Sequence, residues 1–278
     1  MKSRGWLALL VVGLVAVAVA LGVTATRLEE PAPSECSHDV ADLKLEVVAE
    51  IPHDPKAFSQ GLTIHEGSLY ESTGRRGESS VRLLDMDTGE ILRQRDLPAE
   101  FFGEGLTGTR SGELVQLTWT SGTAFRWNPD TFEELGRNSY IGEGWGLATD
   151  AVGMLVMSDG SDELQIRESD DFSLRQSVEV VSAEGKADGL NELDFDGTRV
   201  WANRWKTDEI VRINMDCGDV AVVDGVLDAA ELTERASELA NDAQPIDVLN
   251  GIASLGEDRF LLTGKLWPVM FEVKIIDG

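Results

Sequence analysis

The stretch Gln60-Gly-Leu-Thr-Ile-His-Glu-Gly-Ser-Leu-Tyr-Glu-Ser72 opens on an amide beside a glycine, runs into an apolar strand start, turns at Glu66-Gly67 and resumes as a second strand. The chain repeats this reading four more times. The copies are Glu104-Gly-Leu-Thr-Gly-Thr-Arg-Ser-Gly-Glu-Leu-Val-Gln-Leu117, Trp145-Gly-Leu-Ala-Thr-Asp-Ala-Val-Gly-Met-Leu-Val-Met-Ser158, Asn191-Glu-Leu-Asp-Phe-Asp-Gly-Thr-Arg-Val-Trp-Ala-Asn203 and Asn250-Gly-Ile-Ala-Ser-Leu-Gly-Glu-Asp-Arg-Phe-Leu-Leu-Thr263. Their starts at 60, 104, 145, 191 and 250 are spaced by 44, 41, 46 and 59 residues. A second marker keeps phase with the first: Asp85-Met-Asp-Thr-Gly89, Asn128-Pro-Asp-Thr131, Asp170-Asp-Phe-Ser173 and Asn214-Met-Asp-Cys-Gly218 each stand between two strand-like runs. Asx side chains cap such turns and glycine supplies positive φ, so this is hairpin chemistry. Two hairpins per unit of about 40–45 residues is the size of one four-stranded propeller blade.

The expected fold is therefore all-β, a five-bladed β-propeller. The fifth unit ends near the chain terminus without its last arm, and Leu43–Ile51 supplies a matching orphan strand at the other end. Pairing the two closes the last blade and removes two exposed edges. The long fourth interval carries Leu227-Asp-Ala-Ala-Glu-Leu-Thr-Glu-Arg-Ala-Ser-Glu-Leu-Ala240. Its apolar i, i+4 spacing reads as a short amphipathic helix inserted between blades four and five. A β-sandwich is the rival architecture, but it gives no reason for five units in phase.

Outside the repeats the sequence is simpler. Lys2 and Arg4 precede an uncharged apolar run from Trp6 to Val23, and Arg27, Glu29 and Glu30 follow it. Residues 1–26 read as an export signal or a single N-terminal membrane anchor; the run is long for the first and short for the second. Residues 27–40 read as a tether, and 41–278 as the propeller domain. The expected location is exported: periplasmic, extracellular or anchored and facing outward. A formal charge of −26 argues against nucleic acid as a partner. The two cysteines, Cys36 and Cys217, either form one disulfide or are unrelated thiols. The three histidines show no zinc-ligand spacing, and no loop has a recognisable Ca²⁺ spacing. No metal and no cofactor are expected, and the expected assembly is a monomer.

Equivalent positions of successive blades surround the central axis, so Gln60, Glu104, Trp145, Asn191 and Asn250 should form a ring. Three amides, a carboxylate and an indole look ligand-facing, although buried amides also serve merely to satisfy backbone groups. Asn250 is the member for which that structural role weighs most. Trp201 and Trp267 read as core; Trp119, Trp145 and Trp205 stand at strand ends beside polar residues. Glu104, between Gly103 and Gly105 and after two phenylalanines, is placed to be desolvated, with its pKa raised toward the working range of a general acid–base. Glu143 is a secondary candidate, two residues off the repeat start and expected near the rim.

At these residues the chain resembles the plant and bacterial type of glutaminyl-peptide cyclotransferase. The matching stretches include Pro52-His-Asp-Pro-Lys-Ala-Phe-Ser-Gln-Gly-Leu62, Asp96-Leu-Pro-Ala-Glu-Phe-Phe-Gly-Glu-Gly-Leu106, Gly142-Glu-Gly-Trp-Gly-Leu147, Trp201-Ala-Asn-Arg-Trp205 and Thr263-Gly-Lys-Leu-Trp-Pro268. The resemblance implies a five-bladed propeller, conversion of N-terminal glutaminyl peptides or proteins to pyroglutamyl forms with loss of ammonia, and no metal. It also implies a site of Gln60, Phe102, Glu104, Trp119, Trp145, Asn191, Trp205 and Lys265, with Glu104 as the catalytic acid–base. Two rivals remain: a non-catalytic peptide- or glycan-binding propeller, and a lactonase-like propeller that would need a carboxylate cluster around Ca²⁺.

Overall fold

The computed structural model describes Cys36, residues 39–240 and residues 245–278. The expected export segment and nearly all of the tether lie outside the described residues. Strand β1 (Ala41–Pro52) comes first. The first complete blade is β2 (Ser59–His65), β3 (Ser68–Thr73), β4 (Ser80–Leu84) and β5 (Ile91–Asp96). The second is β6 (Gly103–Gly108), β7 (Leu114–Thr118), β8 (Thr123–Trp127) and β9 (Glu134–Ser139). The third is β10 (Leu147–Thr149), β11 (Leu155–Ser158), β12 (Glu163–Arg167) and β13 (Leu174–Ser182), with the short β14 (Gly185–Lys186) folded back on β13. The fourth is β15 (Leu190–Phe195), β16 (Val200–Arg204), β17 (Glu209–Cys217) and β18 (Val220–Asp228). Helix α1 (Ala230–Leu239) occupies the long interval, burying Leu232 and Ala236. Strands β19 (Leu249–Gly256), β20 (Arg259–Gly264) and β21 (Val269–Asp277) then take β1 as their fourth member, antiparallel from Leu43↔Asp277 to Pro52↔Val269.

The five first strands touch in a ring: β2 with β6, β6 with β10, β10 with β15, β15 with β19, and β19 with β2. The second position of each repeat explains how they come so close. A Cβ at Gly105 would sit 2.6 Å from the Trp145 carbonyl oxygen, and one at Gly146 would sit 2.1 Å from that of Asn191. Only glycine permits that backbone approach. The fourth repeat has Glu192 there instead, and its carboxyl crosses the ring axis. Its two oxygens accept the amides of Leu62 (2.9 Å) and Ile252 (2.8 Å) from blades one and five.

Apolar faces of adjacent blades make the core. Leu62, Leu69 and Leu84 of blade one pack on Ala253, Leu261 and Met270 of blade five. Trp201 and Trp267 are buried, as their positions in the repeat suggested. The Asx turns close their hairpins: Asp85 Oδ1 accepts the amides of Asp87 and Thr88, and Asn128 Oδ1 those of Asp130 and Thr131.

Two features were not evident from the repeats. The outer strands of blades three to five join edge to edge, β18 lying parallel to both β13 and β1. Cys36 and Cys217 are bonded, which decides between the two readings of that pair and ties the chain ahead of β1 to the far end of β17. Among the described residues no helix is long and apolar enough to cross a membrane.

Candidate active site

A register shift occurs at the repeat starts of β2, β6, β15 and β19, between Ser59 and Gly61, Gly103 and Leu106, Leu190 and Leu193, and Leu249 and Ile252. A bulge re-aims the side chain at its apex. At this end of the ring the apices meet the loops that join second to third strands. The result is a cavity of about 280 Å³ lined by Phe58, Gln60, Phe102, Glu104, Trp119, Trp145, Asn191, Trp205 and Lys265. All eight residues expected from the sequence come together there. Phe58 is an addition: it lay inside a quoted motif, but two residues ahead of the repeat start that the reading followed.

The fifth ring member, Asn250, is set apart from this lining. Its Nδ2 donates to the Ser59 carbonyl (3.0 Å) and to Gln60 Oε1 (3.1 Å). Gln60 Nε2 in turn donates to Glu104 Oε1 at 2.8 Å. Because an amide has one acceptor end and one donor end, Asn250 fixes which end Gln60 shows to Glu104. The structural role weighed for Asn250 is thus the observed one, with the added effect of orienting a pocket residue.

Glu104 is 4% exposed, and burial pushes its carboxyl pKa well above the ordinary range. Lys265 works against that rise and Glu143 adds to it. Burial in turn lowers the pKa of Lys265, opposed by Glu104 and Asp247. The Lys265 backbone is pinned on both sides, its amide to Val248 and its carbonyl to the Asp247 amide, and its ammonium stands 5.1 Å from the Phe58 ring centroid.

The walls form two aromatic groups. Phe58 meets Phe102 edge to face at 6.1 Å, and Phe102 meets Trp119 at 5.6 Å; opposite them Trp145 meets Trp205 at 5.2 Å. Glu143 connects the groups. Its Oε2 accepts both the Trp119 indole N–H (2.6 Å) and the Trp145 indole N–H (2.9 Å). The residue ranked second from sequence and expected near the rim is therefore a brace between the walls. No repeat pattern signals this, because the two indoles lie 24 and 2 residues away in sequence.

Among the described residues no three His, Cys, Asp or Glu gather in a metal-binding group. A larger cleft of about 570 Å³ borders Asp196, Arg199, Arg212 and Asp224, but its charges answer one another, both arginines bonding Asp224 at 2.7 Å. The smaller pocket, unlike this cleft, combines a desolvated acid, a buried amine, oriented amides and shape-defining rings.

Fold and pocket together define a β-propeller whose central cavity sets a buried carboxyl and a buried amine between aromatic walls. The chain belongs to the glutamine cyclotransferase family, whose model matches residues 15–275. It is 37% identical over 247 residues to glutaminyl-peptide cyclotransferase of Arabidopsis thaliana, spanning 87% of this chain and 73% of that protein. Among solved structures, glutaminyl cyclase of Myxococcus xanthus matches with a TM-score of 0.77 at 33% identity, over 86% of this chain and 100% of that one. Virginiamycin B lyase of Staphylococcus aureus matches at a TM-score of 0.50 and 11% identity, over 84% of this chain and 100% of that one, a likeness of fold alone.

Proposed function

We propose that this chain cyclises N-terminal glutaminyl residues of peptides and proteins to pyroglutamyl residues, releasing ammonia, with Glu104 as the proton carrier. Membership of the family supports the reaction. The observation that carries the residue assignment is the buried Glu104 carboxyl, raised in pKa and met by an oriented Gln60 amide.

The reaction is intramolecular. The substrate's neutral α-amine attacks its own γ-carboxamide carbon, the new C–N bond closes a five-membered ring, and the C–NH₂ bond breaks. Much of the task is to fold the side chain back and hold it, an orientation effect. Phe58, Phe102, Trp119, Trp145 and Trp205 supply the shape for this. The attacking nitrogen must shed one proton and the departing nitrogen must gain one. Ionised Glu104 takes the first and delivers the same proton to the leaving group, returning to its starting state. A carboxylate with a raised pKa is suited to both halves of that transfer. Lys265 and Asn191 stabilise the oxygen that becomes anionic as the carbonyl turns tetrahedral, while Gln60 holds the carboxylate in line.

Residues 41–278 form the catalytic domain in this reading, and residues 1–26 direct export. The apolar segment behind a basic start supports export, and so does the Cys36–Cys217 bond, since structural disulfides belong to oxidising compartments. Ammonia release from a Gln-Ala dipeptide tests the activity directly. Glu104→Gln is expected to lower kcat by about 10²–10⁴-fold with the unfolding transition retained. Undiminished release by that variant overturns the assignment of Glu104.

A further inference from the structure

Each aromatic wall of the pocket carries a cation. The Arg75 guanidinium carbon lies 4.4 Å from the centroid of Phe58, and Lys206 Nζ lies 4.1 Å from the centroid of Trp205. Both distances are within cation–π range, and both rings line the cavity. The supporting loops are fixed. The Gly74 amide bonds the Phe58 carbonyl at 2.8 Å, and a Cβ at Gly74 would fall 2.4 Å from the Phe102 ring, so glycine there lets the hairpin lie against the pocket and deliver residue 75 to its mouth. The Arg75 carbonyl accepts Ser79 Oγ at 2.8 Å. Across the mouth, the Trp205 amide bonds the Gly189 carbonyl at 2.8 Å, and Thr207 Oγ1 donates to the Arg204 carbonyl at 3.0 Å.

Arg75 and Lys206 both adopt left-handed backbone, with φ of 77° and 63°. Such strain recurs at turns elsewhere in this chain, so it does not mark function by itself. The charge does more. With 50 acidic and 24 basic residues, carboxylates outnumber cationic side chains about two to one. Yet among the described residues neither Arg75 nor Lys206 forms an ion pair, nor does Arg76, which bonds the Glu100 carbonyl and Thr120 Oγ1. Four carboxylates near the pocket are otherwise engaged. Glu143 holds two indoles, Asp188 and Glu209 pair with Arg204, and Asp247 lies by Lys265.

We propose that Arg75 and Lys206 form a cationic rim that selects glutaminyl peptides bearing a carboxylate on the residue after the glutamine. The inference rests on the cyclisation reading: with the glutaminyl side chain folded onto Glu104, the following residue leaves through the mouth between the two walls. The field of the whole molecule acts in the opposite sense, since a strongly acidic protein draws basic peptides toward it. The sign of the discrimination therefore separates a local rim from the global charge.

The test compares kcat/KM for Gln-Glu, Gln-Ala and Gln-Lys dipeptide amides, so that only the second side chain differs in charge. The rim predicts a preference for Gln-Glu over Gln-Lys on the order of tenfold at low salt, the product of two exposed charge contacts. It also predicts that the preference narrows in 0.5 M salt as the Debye length shrinks. In the double variant Arg75→Gly, Lys206→Gln the Glu-to-Lys ratio should fall to unity or invert; glycine suits the backbone at 75, and an unchanged unfolding midpoint verifies the fold. Failure to cyclise any of the three peptides refutes the reaction itself. Cyclisation of Gln-Ala with Gln-Lys equal to or better than Gln-Glu refutes the rim while leaving the reaction standing, and so does a preference that survives in the double variant.

Discussion

Glu143 shows how one side chain can act on a site in two separable ways. One oxygen braces Trp119 and Trp145, and the charge on the carboxylate raises the pKa of Glu104. Glutamine can present a carbonyl oxygen where Glu143 Oε2 now sits, keeping both indole bonds while removing the charge. Because Glu104 must be ionised to accept the amine proton, turnover rises with pH through its pKa. Glu143→Gln lowers that pKa, so the acidic limb of the kcat–pH profile should move to lower pH; a limb that stays put or moves up contradicts the coupling. Glu143→Leu removes the brace as well. Losing two hydrogen bonds of about 1 kcal/mol each should raise KM for Gln-Ala by up to roughly 30-fold. A merely structural residue would lower stability in both variants and leave the pH limb in place.

At the scale of the strand, β15 gathers what the sequence hid. The repeat and its starting residues were legible because periodicity and turn chemistry leave a record at fixed spacing, and Gln60, Glu104, Trp145 and Asn191 all reached the pocket. Buried acids leave no such record. In a chain of charge −26 a carboxylate outside the two Gly-Glu-Gly segments reads as solvated surface, yet Glu71 and Glu192 are fully buried. The edge pairing of β13, β18 and β1 was equally silent, since it depends on how far long outer strands twist toward one another. On β15, burial pushes Glu192 well above the ordinary carboxylate range against the two amides it accepts. Two residues on, burial pushes Asp194 up to about 7, although it accepts the Ser254 amide at 2.5 Å. A carboxyl raised on folding contributes stability fully below its unfolded pKa and loses it as pH rises through the folded one. Asp194→Asn removes that loss. The variant should gain stability relative to the parent between about pH 4 and pH 7, measured as a widening gap in urea midpoints. A gap independent of pH would mean that Asp194 titrates normally.

For the molecule as a whole, the ring is closed by pairing the two ends of the chain, and closure is secured three times. Strand β1 is antiparallel to β21, its first residues run parallel to β18, and Cys36 is bonded to Cys217. The direction of β17 gives the last link a further meaning. The nine-residue strand starts beside the Trp205 loop and ends at Cys217, at the opposite end of the blade. Cys36 is thus bonded to the body at the end of the blade away from the pocket. The bond spans 181 residues, so it removes a large share of the freedom of the unfolded chain, worth about 2–5 kcal/mol. Replacing both cysteines by serine in the full-length chain should lower the denaturant midpoint accordingly. The pocket is built from loops at the other end of the blades, so kcat for Gln-Ala at 25 °C should hold. A fall in kcat without a fall in midpoint would mean that the bond shapes the site; an unchanged midpoint would mean that strand pairing alone closes the ring.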